Sequence, residues 1–203
     1  HNGNLLTCKK LIKYAKNAGA DAVKLQISDA EESYFVGTSS YKTFSKFSLT
    51  EKQIRKISLF AKKNKIILFA TAGDIKSLEI IKKYKFPLIK ISSGLLTNDP
   101  LILKASKLNL PIIISCGLAF KNEIKRAVKL AKSNRSKDIV LLKCTSLYPA
   151  PDDTINLSSI SSIQKEFNCL VGYSDHTKDN LACLAAVSMG AKVIEKHFTL
   201  NKK

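Results

Sequence analysis

"NAGADAVKLQ", residues 17–26, and "SMGAKVIEKH", residues 188–197, are built alike. Each runs from the end of an amphipathic stretch through a Gly-Ala pair into a short apolar run that carries a lysine. Gly19 and Gly190 sit where a helix stops, since glycine takes the left-handed conformation that closes a last turn without a Cβ clash. The same two patterns alternate along the whole chain. Apolar residues at helical spacing predict helices over 5–18, 50–63, 75–84, 99–108, 121–132, 157–167 and 180–189. Thr50 with Gln53 reads as a capping box, and Asp99 before Pro100 as an N-cap followed by a first-turn proline. Between the helices lie "DAVKLQ", "IILFAT", "LIKISS", "PIIIS", "IVLLKCT", "LVGYS" and "KVIEKHF". These runs are too short for helices and nearly continuous in apolar character, as are strands of a parallel sheet covered by helices. Strand–helix alternation implies right-handed crossovers. The expected fold is therefore α/β, a (β/α)8 TIM-type barrel. Seven helices and seven strands, opening on a helix and closing on a strand, make residues 1–203 a single barrel domain short of its first strand and last helix. No GxGxxG turn favours an open dinucleotide-binding sheet instead.

Composition narrows the class. The 203 residues are 45% hydrophobic and 25% charged, enough for one sizeable core. The longest apolar stretches, such as "LPIIISCGLAF", fall short of the ~18 residues a membrane span needs. No basic leader followed by an apolar run opens the chain, so neither export nor a membrane partner is expected. Cys8, Cys116, Cys144, Cys169 and Cys183 are odd in number, widely spaced and without a CxxC pair, as in a reduced cytoplasmic protein. The net charge of +18 raises nucleic acid as a remote alternative partner. Against it, the only arginines are Arg55, Arg126 and Arg135, and the lysines scatter over helical stretches as solvated faces do. Arginine clusters and aromatic stacking platforms are missing.

In such a barrel the chemistry stands at the C-terminal ends of the strands. Those ends carry, in order, Lys24 and Gln26; Thr71 and Asp74; Lys90, Ser92 and Ser93; Ser115, Cys116 and Gly117; Lys143, Thr145, Ser146 and Tyr148; Ser174, Asp175 and His176; Glu195 and His197. Polar groups above apolar strand bodies are costly to bury without partners, and convergence on one mouth explains them together. Lysines and hydroxyls suit a phosphate with a carboxylate: ammonium groups balance the charge and hydroxyls orient it. Two histidines on adjacent strands suit a divalent metal with open positions. Taken singly, a strand lysine can be a structural ion pair and a histidine a hydrogen-bonded core residue.

"HNGNLLTCKKLIKYAKNAGADAVKLQ", "KISSGLLTNDPLI", "PIIISCGLA", "LLKCTSLYPAP", "VGYSDHT" and "GAKVIEKHFTL" resemble, in order, blocks of the sialic acid synthase family. That family comprises N-acetylneuraminate, legionaminate and pseudaminate synthases. The resemblance implies condensation of phosphoenolpyruvate with an N-acetylated hexose, such as N-acetylmannosamine, to give a nine-carbon 2-keto acid and phosphate. It implies a divalent metal, Mn2+ or Mg2+, on His176 and His197, which with Lys24 and Lys90 form the catalytic set. By the same resemblance Thr71, Ser93, Ser115, Ser146 and Ser174 hold phosphoenolpyruvate, and Gln26 and Tyr148 stand on the sugar side. A homodimer is expected of the full-length protein.

Departures from the family pattern motivate an alternative. The resemblance places a glutamate-bearing strand ahead of "HNG" and an antifreeze-like domain after the barrel, neither within residues 1–203. An acidic third residue gives way to Leu95 in Ser93-Gly94-Leu95. "ATAGD" spans residues 70–74, Cys116 follows Ser115, Ser146 replaces an asparagine, and Leu200-Asn201-Lys202 closes the last block. The alternative is a non-catalytic or decayed fragment of the same fold. An incomplete barrel leaves unpaired strand edges, which invite aggregation. Residues 1–203 alone are expected to be poorly soluble or inactive; a soluble preparation that unfolds cooperatively and turns over substrate would contradict this.

Overall fold

The computed structural model describes residues 1–134 and 138–201; positions 135–137, 202 and 203, which include Arg135 and the Lys202 of the last block, lie outside the described residues. The chain divides into two compact units, His1–Ile89 with Phe198–Lys203, and Lys90–His197.

The first unit contains α1 (Leu5–Asn17), β1 (Ala22–Ile27), α2 (Ala30–Ser33), α3 (Ser39–Phe47), α4 (Glu51–Lys63), β2 (Ile67–Ala72) and α5 (Ile75–Lys83). The helix α1 turns Cys8, Ile12 and Ala15 inward, and α4 turns in Ile54, Ile57 and Ala61. Both sets follow the three-and-four spacing of one helical face. Each fully buried isoleucine contributes about 1.5–3 kcal/mol. The capping box read from Thr50 and Gln53 is present: Thr50 N–H donates to Gln53 Oε1 (2.8 Å) and Gln53 N–H to Thr50 Oγ1 (3.3 Å). The strand β1 pairs in parallel with β2, setting Lys24 level with Phe69 and Gln26 level with Thr71. The helices α2 and α3 were not expected. The first is a single turn opened by Asp29, and the second buries no residue, so neither carries a core-facing stripe for periodicity to reveal.

Asp74, read from sequence as a strand-end polar group, is a helix cap. Only Gly73 separates it from β2, so it already opens α5. Its Oδ1 accepts from Ser77 N–H (2.7 Å) and its Oδ2 from Asp29 N–H (2.6 Å). The Ser77 hydroxyl lies 2.7 Å from Asp74 Oδ1 and 2.8 Å from the Ile27 carbonyl oxygen, tying α5 to the end of β1.

The second unit takes in most of β3 (Ile89–Ile91), a short 3-10 turn (Ser93–Leu95), α6 (Asp99–Ser106), β4 (Ile112–Ser115), α7 (Lys121–Lys132), β5 (Ile139–Cys144), α8 (Ser159–Phe167), β6 (Leu170–Asp175), α9 (Leu181–Ser188) and β7 (Ile194–Lys196). From β4 to β7 each strand pairs in parallel with the next in the chain. Every residue of β3 and β4 is buried, which is why these strands read as unbroken apolar runs. The helix α7 turns Ile124, Ala127, Val128 and Ala131 inward. Helix α6 is capped one residue earlier than its sequence suggests: Asn98 Oδ1 accepts from Leu101 N–H (3.1 Å), and Asp99 and Pro100 form the first turn. Helix α9 departs from the amphipathic expectation. It buries Ala182 and Ala186, yet its outward side chains Leu181, Leu184 and Val187 are also apolar. Alternating strands and helices in both units make the fold α/β, as expected.

Replacing Asp74 by alanine removes a helix cap and leaves the Asp29 N–H without its acceptor. The expected loss is about 2–4 kcal/mol, the sum of a missing cap and an orphaned donor. Urea denaturation of Asp74→Ala checks it, and a stability within 0.5 kcal/mol of the parent contradicts the capping role.

Candidate functional site

Side chains alternate across a strand, so register sorts the second unit's polar residues into two faces. Cys144 on β5 stands level with Ser174 on β6, and Ser174 with Glu195 on β7. Lys143 and Tyr173 are level on the opposite face, as are Asp175 and Lys196.

The first face converges on Glu195. Its Oε1 accepts from Lys90 Nζ (2.8 Å) and from Ser174 Oγ (2.9 Å), and its Oε2 from Lys90 Nζ (2.9 Å). The Lys90 side chain is 2% exposed and that of Glu195 21% exposed. Ser93 Oγ accepts from Gly117 N–H (3.0 Å) and lies 3.1 Å from Cys144 Sγ. A Cβ at Gly117 would stand 2.7 Å from Ser146 Oγ and 2.5 Å from Cys144 Sγ, so a glycine is required where these chains meet. Lys90 and Ser174 thus meet on Glu195, and Ser93 meets Cys144 and Gly117. Ser115 is buried at the end of β4.

Beyond the ends of β6 and β7, His176, His197 and Tyr148 pack together. The imidazole centroids are 5.4 Å apart, and the Tyr148 ring lies 4.1 Å from His176 and 5.6 Å, edge-on, from His197. His176 Nδ1 lies 2.6 Å from the Thr145 carbonyl oxygen. A carbonyl only accepts, so Nδ1 carries the proton of the neutral ring and Nε2 keeps its lone pair. The His176 carbonyl in turn accepts from Ala150 N–H (2.9 Å), which clamps the β5-to-α8 loop onto this histidine. A ring held through one nitrogen by a backbone carbonyl is the usual preparation for metal ligation through the other. Among the described residues no group of three or more His, Cys, Asp or Glu side chains is arranged to hold an ion. The donor chemistry present therefore fits a cation held by two imidazoles and completed by substrate or water, not a closed site.

The opposite face supports this loop. Asp175 is buried and accepts from Lys196 Nζ, Thr177 N–H (2.9 Å), Cys183 Sγ (3.1 Å) and Tyr173 Oη (3.3 Å). Burial opposes its charge, but the bonds from Lys196, Thr177 and Cys183 outweigh it and hold the carboxyl at about 2. Burial, then Asp175 itself, pushes the Cys183 thiol up to about 12. Lys143 donates to the Cys144 carbonyl (3.2 Å), and burial lowers its pKa. Asp175 and Lys143, both in the strand-end inventory, thus serve the helix-covered side.

In the first unit Lys24, half-buried, and Gln26, exposed, share one side of β1, while Leu25 and Ile27 take the other. Thr71, level with Gln26, is 4% exposed, and its Oγ1 has no hydrogen-bond partner among the described residues. A buried hydroxyl left unpaired costs about 1–3 kcal/mol.

Glu195 is the residue to which sequence reading gave no role. The signal was present: Glu195 stands at the end of an apolar run, two residues before His197.

Comparisons with known proteins follow this geometry. The model of the NeuB family matches residues 11–203. An uncharacterized protein of Methanocaldococcus jannaschii is 41% identical over all of this chain and 60% of its own length. The N,N'-diacetyllegionaminic acid synthase of Campylobacter jejuni is 39% identical over all of this chain and 65% of its own length. The chain thus spans under two thirds of these curated relatives. The crystal structure of an N-acetylneuraminic acid synthetase from Leptospira borgpetersenii, in complex with citrate, superposes with a TM-score of 0.94 at 32% identity, covering 99% of this chain and 70% of that one.

Replacing Asp175 by alanine strips a buried ion pair of one member and frees the loop that carries His176. The expected destabilisation is about 3 kcal/mol, the lower end for such pairs because Lys196 can reach solvent. A carboxyl whose folded pKa is depressed contributes stability that is present above its unfolded value and lost as pH falls through its folded value. In the parent the Asp175 contribution therefore fades between about pH 4 and about pH 2. Denaturation of parent and variant across that range should converge, and a gap that stays constant with pH contradicts the assignment.

Proposed function

Because the chain belongs to the NeuB family, we propose that it joins phosphoenolpyruvate to an N-acetylated hexose, N-acetylmannosamine or a related sugar, with release of phosphate and a nine-carbon 2-keto acid of the sialic acid type. The observation that carries this reading is the buried Lys90 and Ser174, joined through Glu195, with Ser93 in the same unit as the His176–His197 pair. Such donors suit a small polyanion, and an imidazole pair with a lone pair on offer suits a cation that meets a sugar oxygen.

The fold behind this reading is a (β/α)8 TIM-type barrel forming a single catalytic domain. Alternating strands and helices in both units, with parallel neighbours consecutive in the chain, support it. His176 and His197 would hold Mn2+ or Mg2+, which when bound polarises the sugar aldehyde. Lys24, Thr71, Lys90, Ser93, Ser115, Ser146 and Ser174 take the phosphate and carboxylate of phosphoenolpyruvate. The unpaired Thr71 hydroxyl supports its own place in that set. Gln26 and Tyr148 face the sugar. Carbon 3 of phosphoenolpyruvate forms a bond to the aldehyde carbon, whose oxygen takes a proton. Water adds to the cationic carbon 2 and gives up a proton, and the resulting tetrahedral carbon expels phosphate to leave the ketone. The lysines and serines hold the anion in line throughout, so much of the acceleration comes from positioning. Among the described residues no helix is long and apolar enough to cross a membrane. The reading assigns the protein to the cytoplasm, where five free thiols persist, and to a homodimer.

A panel of 2-acetamido sugars, incubated with phosphoenolpyruvate, Mn2+ and the full-length protein, tests the reaction. Equal amounts of phosphate and a 2-keto acid are expected with at least one sugar; no product with any of them overturns the proposal. Lys24→Ala should weaken phosphoenolpyruvate binding by about 1.5–3 kcal/mol, the worth of a charged hydrogen bond. Parent affinity in that variant removes Lys24 from the site. A chelator and His176→Ala should each abolish turnover, and activity that survives both removes the cation from the mechanism.

A further inference from the structure

Glu195 is the hub of the second unit's polar face, and the roles proposed above leave it unused. Its two oxygens span Lys90 and Ser174, one on β3 and the other on β6, with three contacts of 2.8–2.9 Å. The Lys90 side chain is 2% exposed on the buried β3, so a carboxylate is what permits an ammonium there. The Glu195 side chain itself is partly exposed, so the pair lies at the edge of accessible space and not sealed inside the core. Both Glu195 oxygens accept from the ammonium, which fixes its orientation. The Ser174 hydroxyl gives its proton to the same carboxylate and holds that carboxylate in place.

We propose that Glu195 is the positioning residue for phosphoenolpyruvate: it holds the Lys90 ammonium in the orientation from which that ammonium meets the substrate anion. This rests on the reading of Lys90 as a phosphoenolpyruvate ligand. Glu195 neither touches the substrate nor accepts a proton from it. Its removal disturbs an anion contact and no sugar contact, so its effect is confined to one substrate. A residue that merely stabilised the fold would alter both substrates alike.

Calorimetric titration of phosphoenolpyruvate into the full-length protein, with steady-state kinetics beside it, tests this. Glu195→Ala strands a buried ammonium and can unfold the protein, so the near-isosteric Glu195→Gln carries the decision, with a cooperative thermal transition as proof of folding. Glu195→Ala, where folded, should bind phosphoenolpyruvate about tenfold more weakly or worse, and Glu195→Gln by a smaller factor, since its amide oxygen still accepts from one donor. The KM for the sugar should stay at the parent value in both. In a Lys90→Met background Glu195→Gln should change the Kd by no more than about twofold, because partners in one network are not additive. A folded Glu195→Gln protein with parent affinity overturns the proposal. So does a loss of equal size with and without Lys90, or a matching rise in the sugar KM. A parent protein that binds no phosphoenolpyruvate overturns the functional reading itself and this inference with it, a result separable from the others because it needs no variant.

Discussion

A charged amine with 2% of its side chain exposed has to be answered from within, and the Lys90–Glu195 pair does this for the second unit. Removing an ammonium from water costs several kcal/mol even after relaxation, and attraction repays it only when geometry is good and the remaining donors are satisfied. Here the geometry is bidentate, and Ser174 completes the carboxylate's shell. The consequence reaches past the pair. The carboxylate lies on β7 and the amine on β3, so the polar face requires both strands in place before any of it is electrostatically tolerable.

Adjacent residues carry opposite duties because a strand alternates. Ser174 joins the Glu195 network, while its neighbour Asp175 turns to the other side and binds Lys196, Thr177, Cys183 and Tyr173. Next in line, His176 leaves the strand with one ring nitrogen fixed on the Thr145 carbonyl. Three consecutive side chains thus bind, brace and present. The brace is strong because it is buried and fully hydrogen-bonded, as the low pKa of Asp175 reflects. Burial also quiets the thiols of this region: Cys116 is pushed up to about 12 by desolvation first and by its Cys144 neighbour next. A thiol so far from its thiolate is no nucleophile at neutral pH. Cys144 lies beside the Ser93–Gly117 contact, 3.1 Å from Ser93 Oγ.

The imidazole pair is open on two counts. His197 is exposed, and Tyr148, which packs against both rings, is itself largely exposed. The pair is backed by a loop clamped through Ala150 and Thr145. In the first unit the Asp74 cap plays the bracing part, holding the end of β1 and the start of α5 together below Gln26 and Thr71.

The α/β class, the seven strand segments, the Thr50 capping box and the place of lysines, serines and histidines at or just past strand ends were all written in local pattern. Period two and period 3.6 need only neighbouring residues to show themselves. The helices α2 and α3 escaped because they bury almost nothing, and the true cap of α6 because Asn98 and Asp99 are equally suited by type. The inventory of strand-end polar groups was also readable, but not its division. That Asp74 caps a helix, that Lys143 and Asp175 face the helices, and that Glu195 spans Lys90 and Ser174 depend on pairing between segments far apart in the chain. Glu195 meets Lys90 across 105 residues. A residue's type states which contacts it can make; only the folded register decides which partner stands within 3 Å of it, because a shift of one residue turns every side chain of a strand to the other face.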